Sequence, residues 1–279
     1  MLSYFPLLRS RVLFCVNKGG GLEMLFSGRK ELFNVWYHVF KAGLLGMNIG
    51  CGGDVKTSGE INAMKFVKEQ SKSKSEITIV DVGANQGQYT QSLLKFFKND
   101  NVKIHCFEPG HETFKMLLEN LNGHDNITFN NFGLSNVKSD GILYYDHAGS
   151  GLASVYKRQL DYFDVKFEQK EDIKLDTLDN YCAENNITCI DFFKLDVEGN
   201  ELNVLEGAKN TLDADIVKSI QIEFGGCNLD SRTFIRDFWN MLHEKYIMYR
   251  IMRNGLLEIK KYYERIEQFT TTNFFFVKR

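Results

Sequence analysis

Four carboxylates mark the ends of apolar runs in this sequence: Asp81 in Ile77–Val82, Glu108 after Lys103–Phe107, Asp196 after Ile190–Leu195 and Glu223 in Ser219–Phe224. Short buried runs separated by helical segments read as parallel strands. In an open α/β sheet, ligands bind beyond the carboxyl ends of such strands, so the acids should meet at one edge. Between the first run and the next helix lies Asp81-Val-Gly83-Ala-Asn85-Gln-Gly87, a DxGxNxG spacing. Glycine allows the tight turn and a close approach of ligand to backbone, and the helix that follows offers unpaired N–H groups. This is not the GxGxxG of dinucleotide binders, where a helix N-terminus holds a pyrophosphate. Glu108 stands about twenty residues beyond the loop, where an acid accepts both ribose hydroxyls of a nucleoside. Gly133, Leu134 and Ser135, after a third run, would lie at the adenine edge.

Asp196, Glu198 and Glu201 cluster where the fourth run opens into a loop. Lys194 precedes Asp196 by two, which puts both side chains on one face and predicts a salt bridge. Glu223 ends the fifth run on the same edge. Such acids suit proton abstraction or acceptor orientation, with Asp196 or Glu198 as base and Glu223 nearby. A rival arrangement has Asp196 and Glu223 chelating Mg²⁺, an ion suited to oxygen ligands. Two strong ligands are few, so the metal-free arrangement is preferred. The structural alternative makes Asp196 a helix cap and sets Glu198 and Glu201 against backbone N–H groups. The stretch Tyr144–Gln169 reads as an acceptor-recognition loop. In it His147 is either a base or a solvated histidine, and Lys157 and Arg158 meet an anion or form ordinary charged surface.

Alternating elements must position these residues. Helices are expected over Gln88–Phe97, Glu112–Leu121 and Leu202–Thr211. The end of the chain departs from the alternation: Tyr246–Met252, the turn Asn254-Gly255 and Leu256–Ile259 read as a hairpin, and Asn273–Val277 as a last strand. Upstream, residues 1 to about 50 read as helical, with Leu32, Val35, Trp36, Val39 and Phe40 at helical spacing. Glycines at 50, 52 and 53 break the pattern before a second amphipathic helix carrying Ile61, Met64, Phe66 and Val67. The polar stretch Gln70–Glu76 predicts a boundary between a helical extension, 1–75, and a catalytic domain, 76–279.

Composition is that of a globular protein: 43% hydrophobic, 25% charged, net charge −2 over 279 residues. That charge gives no global reason to expect nucleic acid as a partner. The six cysteines, Cys15, Cys51, Cys106, Cys182, Cys189 and Cys227, form no CxxC pair. They suit free thiols in a reducing cytoplasm. No apolar run approaches the roughly 18 residues of a membrane span. Val12–Val16, flanked by Arg9 and Arg11 and ended by Asn17 and Lys18, is too short for a signal peptide. The basic, aromatic N-terminus has a membrane surface as one possible contact; packing of a helix on the main domain is preferred.

The segment Asp191-Phe-Phe-Lys194-Leu-Asp196-Val-Glu198-Gly-Asn-Glu201-Leu-Asn-Val-Leu-Glu-Gly207 resembles the FkbM family of methyltransferases. Asp81–Gly87, Phe107-Glu-Pro109 and Ile173–Asp179 share in the resemblance, which covers about residues 77–279. Gly59-Glu60 resembles an element that often precedes the domain. The resemblance implies an α/β, Rossmann-like class I methyltransferase fold with a mostly parallel seven-stranded sheet and a C-terminal antiparallel strand. It implies methyl transfer from S-adenosylmethionine to a hydroxyl oxygen of a sugar, glycan or polyketide, with a carrier-linked acceptor included. Asp81, Gly83, Asn85, Gly87, Glu108, Ser135 and Asp196 would then bind the cofactor, Asp81 accepting from its ammonium. Two other classes stand beside this reading: an NAD-dependent oxidoreductase, and a non-catalytic cofactor-binding scaffold. N-methylation stays open, and the oligomeric state is unread.

Overall fold

A computed structural model describes residues 27–52 and 55–279. Arg9, Arg11, Val12–Val16, Asn17, Lys18 and Gly53 lie outside the described residues. The chain divides into two units, 1–47 and 48–279. In the first, helix α1 (Phe33–Gly46) has the expected apolar spacing, yet none of its residues is buried. The second unit begins at Asn48, upstream of the boundary expected at Gln70–Glu76. Packing is the reason. Helix α2 (Ile61–Gln70) buries Ala63, Met64 and Val67 in the same cluster as Ile79 and Phe275.

Besides a single turn at Val55–Ser58, the remaining described α-helices are α3 (Gln88–Phe96), α4 (His111–Asn120), α5 (Leu178–Glu184), α6 (Glu201–Glu206), α7 (Lys209–Asp213), α8 (Cys227–Ser231) and α9 (Ile235–Leu242). The strands run β1 (Ile77–Val82), β2 (Val102–Phe107), β3 (Ile127–Asn130), β4 (Gly133–Leu134), β5 (Ser139–Tyr145), β6 (Gln169–Asp176), β7 (Phe192–Leu195), β8 (Ser219–Phe224), β9 (Tyr246–Met252), β10 (Gly255–Ile259) and β11 (Thr272–Lys278). The main sheet has the order β10-β9-β11-β8-β7-β1-β2-β3. From β8 to β3 every pairing is parallel; β11 inserts antiparallel between β8 and β9. This is the large, mostly parallel sheet of a class I methyltransferase fold. It has eight strands where seven were expected, because β10 pairs with β9 as the second arm of the hairpin.

Two further differences concern local structure. Strands β4, β6 and β5 form a separate three-stranded sheet, so the loop expected from Tyr144 is confined to the connection between β5 and β6. The helix expected over Leu202–Thr211 is split into α6 and α7 around Gly207. There the backbone runs so close to Ser135 that a Cβ would come within 2.0 Å of its carbonyl oxygen.

Alternation along the strands sorts the core into two clusters. Val80, Val82, Phe193, Leu195, Ile220 and Ile222 face one cluster, which α5, α6, α7 and α9 cover. Ile77, Ile79, Phe192 and Phe275 face the other, beneath α2, α3 and α4. The same period of two puts Asp81, Lys194 and Gln221 on the second face.

Candidate active site

Asp81, Lys194 and Gln221 are paired in register across β1, β7 and β8. All three are buried, and buried polar groups require partners. Lys194 Nζ lies 3.0 Å from Asp196 Oδ2 and 3.7 Å from Asp81 Oδ1, and 4.5 Å from the Tyr89 ring centroid. The Thr90 hydroxyl donates to Asp81 at 2.6 Å. Tyr89 donates to Gln221 Oε1 at 3.1 Å, and Gln221 Nε2 donates to Glu60 at 2.7 Å. Burial pushes the Asp81 and Glu60 carboxyls above their ordinary range; nearby Lys194 opposes this at both. Burial also works against the Lys194 charge, but Asp196, Asp81 and Glu60 together overcome it and raise its pKa.

Beyond the strand ends opens a cavity of about 590 Å³. The loop after β1 forms its floor through Val82, Gly83, Ala84 and Asn85. Gly83 has φ +79°, and a Cβ there would sit 1.8 Å from the Asp196 carbonyl oxygen. The neighbouring chain, more than any ligand, demands this glycine. Gly87 caps α3 with φ 89° and lies against Leu117 and Leu121. Glu108 accepts from the backbone N–H groups of Asn85 at 3.0 Å and Gly110 at 2.9 Å. Burial pushes its carboxyl up to about 7, against these two bonds. Glu108 lines the cavity, and each of its carboxylate oxygens has acceptor capacity beyond these bonds.

Across the cavity, oxygens of Asp196, Glu198 and Glu223 all lie within 4.8 Å of one another. Two strong candidates were expected to converge, so this third carboxylate strengthens the geometry for a cation without placing one there. Burial, with Asp196 beside it, pushes Glu198 up to about 8; burial with Asp196 and Glu198 pushes Glu223 well above its ordinary value. Arg158 is buried and donates to Glu198 at 2.6 Å, with Asp230 at 3.6 Å on its other side. It is therefore neither surface charge nor an exposed anion site. Of the two acids considered for a structural role, Glu201 fills it: its Oε1 accepts from the Val197 and Gly199 N–H groups at 3.1 Å. Asp196 does not cap α6; the N-cap is Asn200.

Several expected positions fall elsewhere. Asp81, Gly87 and Ser135 do not line the cavity; Asp81 is fully buried, and of the three residues expected at the adenine edge Gly133 and Leu134 line it. His147 is exposed and paired with Asp146 at 2.9 Å, and Lys157 is exposed. From the β5–β6 connection, Ser150–Val155 line the cavity, held to the glycine loop by Asn85 Nδ2 on the Ser150 carbonyl at 2.8 Å. The sequence signal for Gln221 is a polar residue inside an apolar strand.

The sequence pattern described as "Methyltransferase FkbM domain" matches residues 81–249. This chain belongs to the FkbM methyltransferase family. Among curated relatives, the 2-O-methyltransferase NoeI of Sinorhizobium fredii is 26% identical over 149 residues. That match takes in 50% of this chain and 60% of NoeI, so the chain spans less than two thirds of that relative. Among solved structures, methyltransferase FkbM from Methylobacillus flagellatus is 17% identical with TM-score 0.46, over 72% of this chain and 44% of that one. The N-terminal domain of human METTL16 in complex with SAH is 11% identical with TM-score 0.40, over 79% and 70%. The FkbM match begins at Asp81 and leaves Glu60 outside, although Glu60 lines the same cavity as Glu108 and Asp196.

Proposed function

We propose that this FkbM-family methyltransferase uses S-adenosylmethionine to methylate a hydroxyl oxygen of a sugar or glycan. One observation carries the cofactor assignment. Among the described residues, the cavity is lined by Glu60, Glu108, Asp196, Glu198 and Glu223 against only Lys194 and Arg158. Such an excess of acid repels a pyrophosphate and suits a ligand bearing an ammonium and a sulfonium. In this reading Glu108, which lines the cavity, accepts from the ribose hydroxyls, and the glycine loop faces the amino-acid portion. The bound cofactor supplies an electrophilic methyl group. What the chain adds is position and proton transfer.

An alcohol is a weak nucleophile, so a base at its oxygen aids attack, and alignment with the methyl group supplies much of the rate. Asp196 is the preferred base: it lines the cavity, and Lys194 orients it. Glu198 and Glu223, with raised pKa values, hold a proton more readily than ordinary carboxylates and can donate hydrogen bonds to the acceptor. The name of NoeI, a 2-O-methyltransferase, supports the choice of oxygen and of a hydroxylated acceptor. Should Mg²⁺ bind, Asp196, Glu198 and Glu223 are the residues that would hold it.

Calorimetric titration with S-adenosylmethionine and S-adenosylhomocysteine tests this, with NAD as control. Micromolar binding is expected for both, weakened roughly tenfold or more in Glu108→Gln through a lost charged hydrogen bond. Folded protein that binds NAD and neither adenosyl ligand would overturn the proposal. A screen of glycan acceptors with and without EDTA then decides acceptor and metal.

A further inference from the structure

We infer that Glu60, contributed from upstream of the matched family domain, binds the α-ammonium of the cofactor's methionyl portion. The inference rests on the reading of the cavity as an S-adenosylmethionine site. In sheet order, Glu108 follows β2, whereas Glu60 is tied to Gln221 on β8. The two strands are three strand spacings apart, roughly 14 Å. A ligand with its ribose at Glu108 extends its other end across the glycine loop toward Lys194 and Glu60.

The charges at that end are unequal. Glu60, Asp81 and Asp196 surround a single ammonium, Lys194, which bonds Asp196 at 3.0 Å and lies 3.7 Å from Asp81. Glu60 has no hydrogen bond to Lys194. Its oxygens accept from Ser58 at 2.6 Å and from Gln221 at 2.7 Å, both neutral donors. It is 4% exposed and lines the cavity. A carboxylate held rigidly by two neutral donors, sharing one ammonium with two other acids and open to a cavity, is prepared for a cationic group. A second feature sits beside it. Asn273 accepts from Gln221 at 3.2 Å, and its Nδ2 is buried without an acceptor. That orphan donor lies 3.6 Å from where a Cβ of Gly52 would be, and Gly52 lines the cavity. Of this network it is Glu60 that lines the cavity and offers the acceptor for an ammonium; Asn273 is not among the lining residues.

The test compares two ligands. S-adenosylhomocysteine carries the amino-acid portion; 5′-methylthioadenosine keeps the adenosine and thioether and lacks it. In Glu60→Gln, which preserves shape and keeps an oxygen for the Gln221 amide while its new amide nitrogen faces the Ser58 hydroxyl as a donor, S-adenosylhomocysteine affinity is expected to fall ten- to a hundredfold, with methylthioadenosine affinity unchanged within twofold. Glu60→Asp, which keeps the charge but retracts it, should fall between. Equal losses for both ligands would make Glu60 merely structural, and unchanged S-adenosylhomocysteine affinity would remove it from the site; either overturns the inference. Wild-type protein that binds neither ligand would instead overturn the cofactor reading itself. Thermal denaturation of each variant confirms that the protein titrated is folded.

Discussion

At the scale of single residues, the chemistry of this site follows from burying more acids than bases. Glu108 and Glu198 are held near 7 and 8, above the ordinary 4.5, because burial penalises their charged forms. A carboxyl whose pKa is raised by folding binds its proton more tightly in the folded state. Its stabilisation is fully present below the unfolded pKa of about 4.5 and is lost as pH rises through 7 to 8. The free protein should therefore lose stability between about pH 5 and 8, as measured by denaturant titration across that range. A cationic ligand favours the ionised acids. S-adenosylmethionine should accordingly gain affinity relative to S-adenosylhomocysteine from pH 6 to 8.5, with proton release seen as a dependence of calorimetric heat on buffer. A flat ratio would mean that the acids do not face the sulfonium. Asp196→Asn should lower turnover of a methylated acceptor by about 10²–10⁴-fold, with S-adenosylhomocysteine binding changed far less. A parallel loss of binding would assign Asp196 to the cofactor instead of the proton.

At the scale of elements, two close approaches hold the site together. The turn after β1 passes so near the loop after β7 that Gly83→Ala must displace one of them. We expect a destabilisation of roughly 3 kcal/mol, from combined backbone strain and overpacking. It should appear as a lower urea midpoint with unchanged slope. The connection between β5 and β6 is fastened by Arg158 on Glu198 and by Asn85 on the Ser150 carbonyl. Arg158→Ala removes one fastening and leaves Glu198 unpaired. Faster hydrogen exchange over residues 146–168 is expected, with β1 and β7 unaffected. Exchange rates equal to wild type would show that the remaining contacts suffice.

At the scale of the whole molecule, the domain boundary matters most. Residues 48–75 belong to the compact unit because α2 covers the sheet face opposite α9 and because Glu60 reaches the Gln221 side chain. A fragment of residues 48–279 is expected to unfold cooperatively and bind S-adenosylhomocysteine like the full chain. A fragment starting at residue 76 uncovers Ile79, Phe192 and Phe275 and should lose cooperative unfolding. If the shorter fragment folds and binds, the boundary suggested by the polar stretch Gln70–Glu76 is the functional one.

The alternation of buried runs and helices, the hairpin around Asn254-Gly255, and the placement of Glu108, Asp196 and Glu223 at strand ends were all legible in the sequence. Each depends on local periodicity, or on a chain direction that every parallel strand shares. The Lys194–Asp196 pair was legible for the same reason, since residues two apart on a strand share a face. Strand pairing alone decided that Lys194 also meets Asp81 and stands beside Gln221. The packing of loops and of α2 on the sheet decided that Glu60 and Arg158, far apart in the chain, line the same cavity. Register and loop approach are relations between segments, set by the packing of two apolar faces over the whole sheet, and no window of sequence contains them.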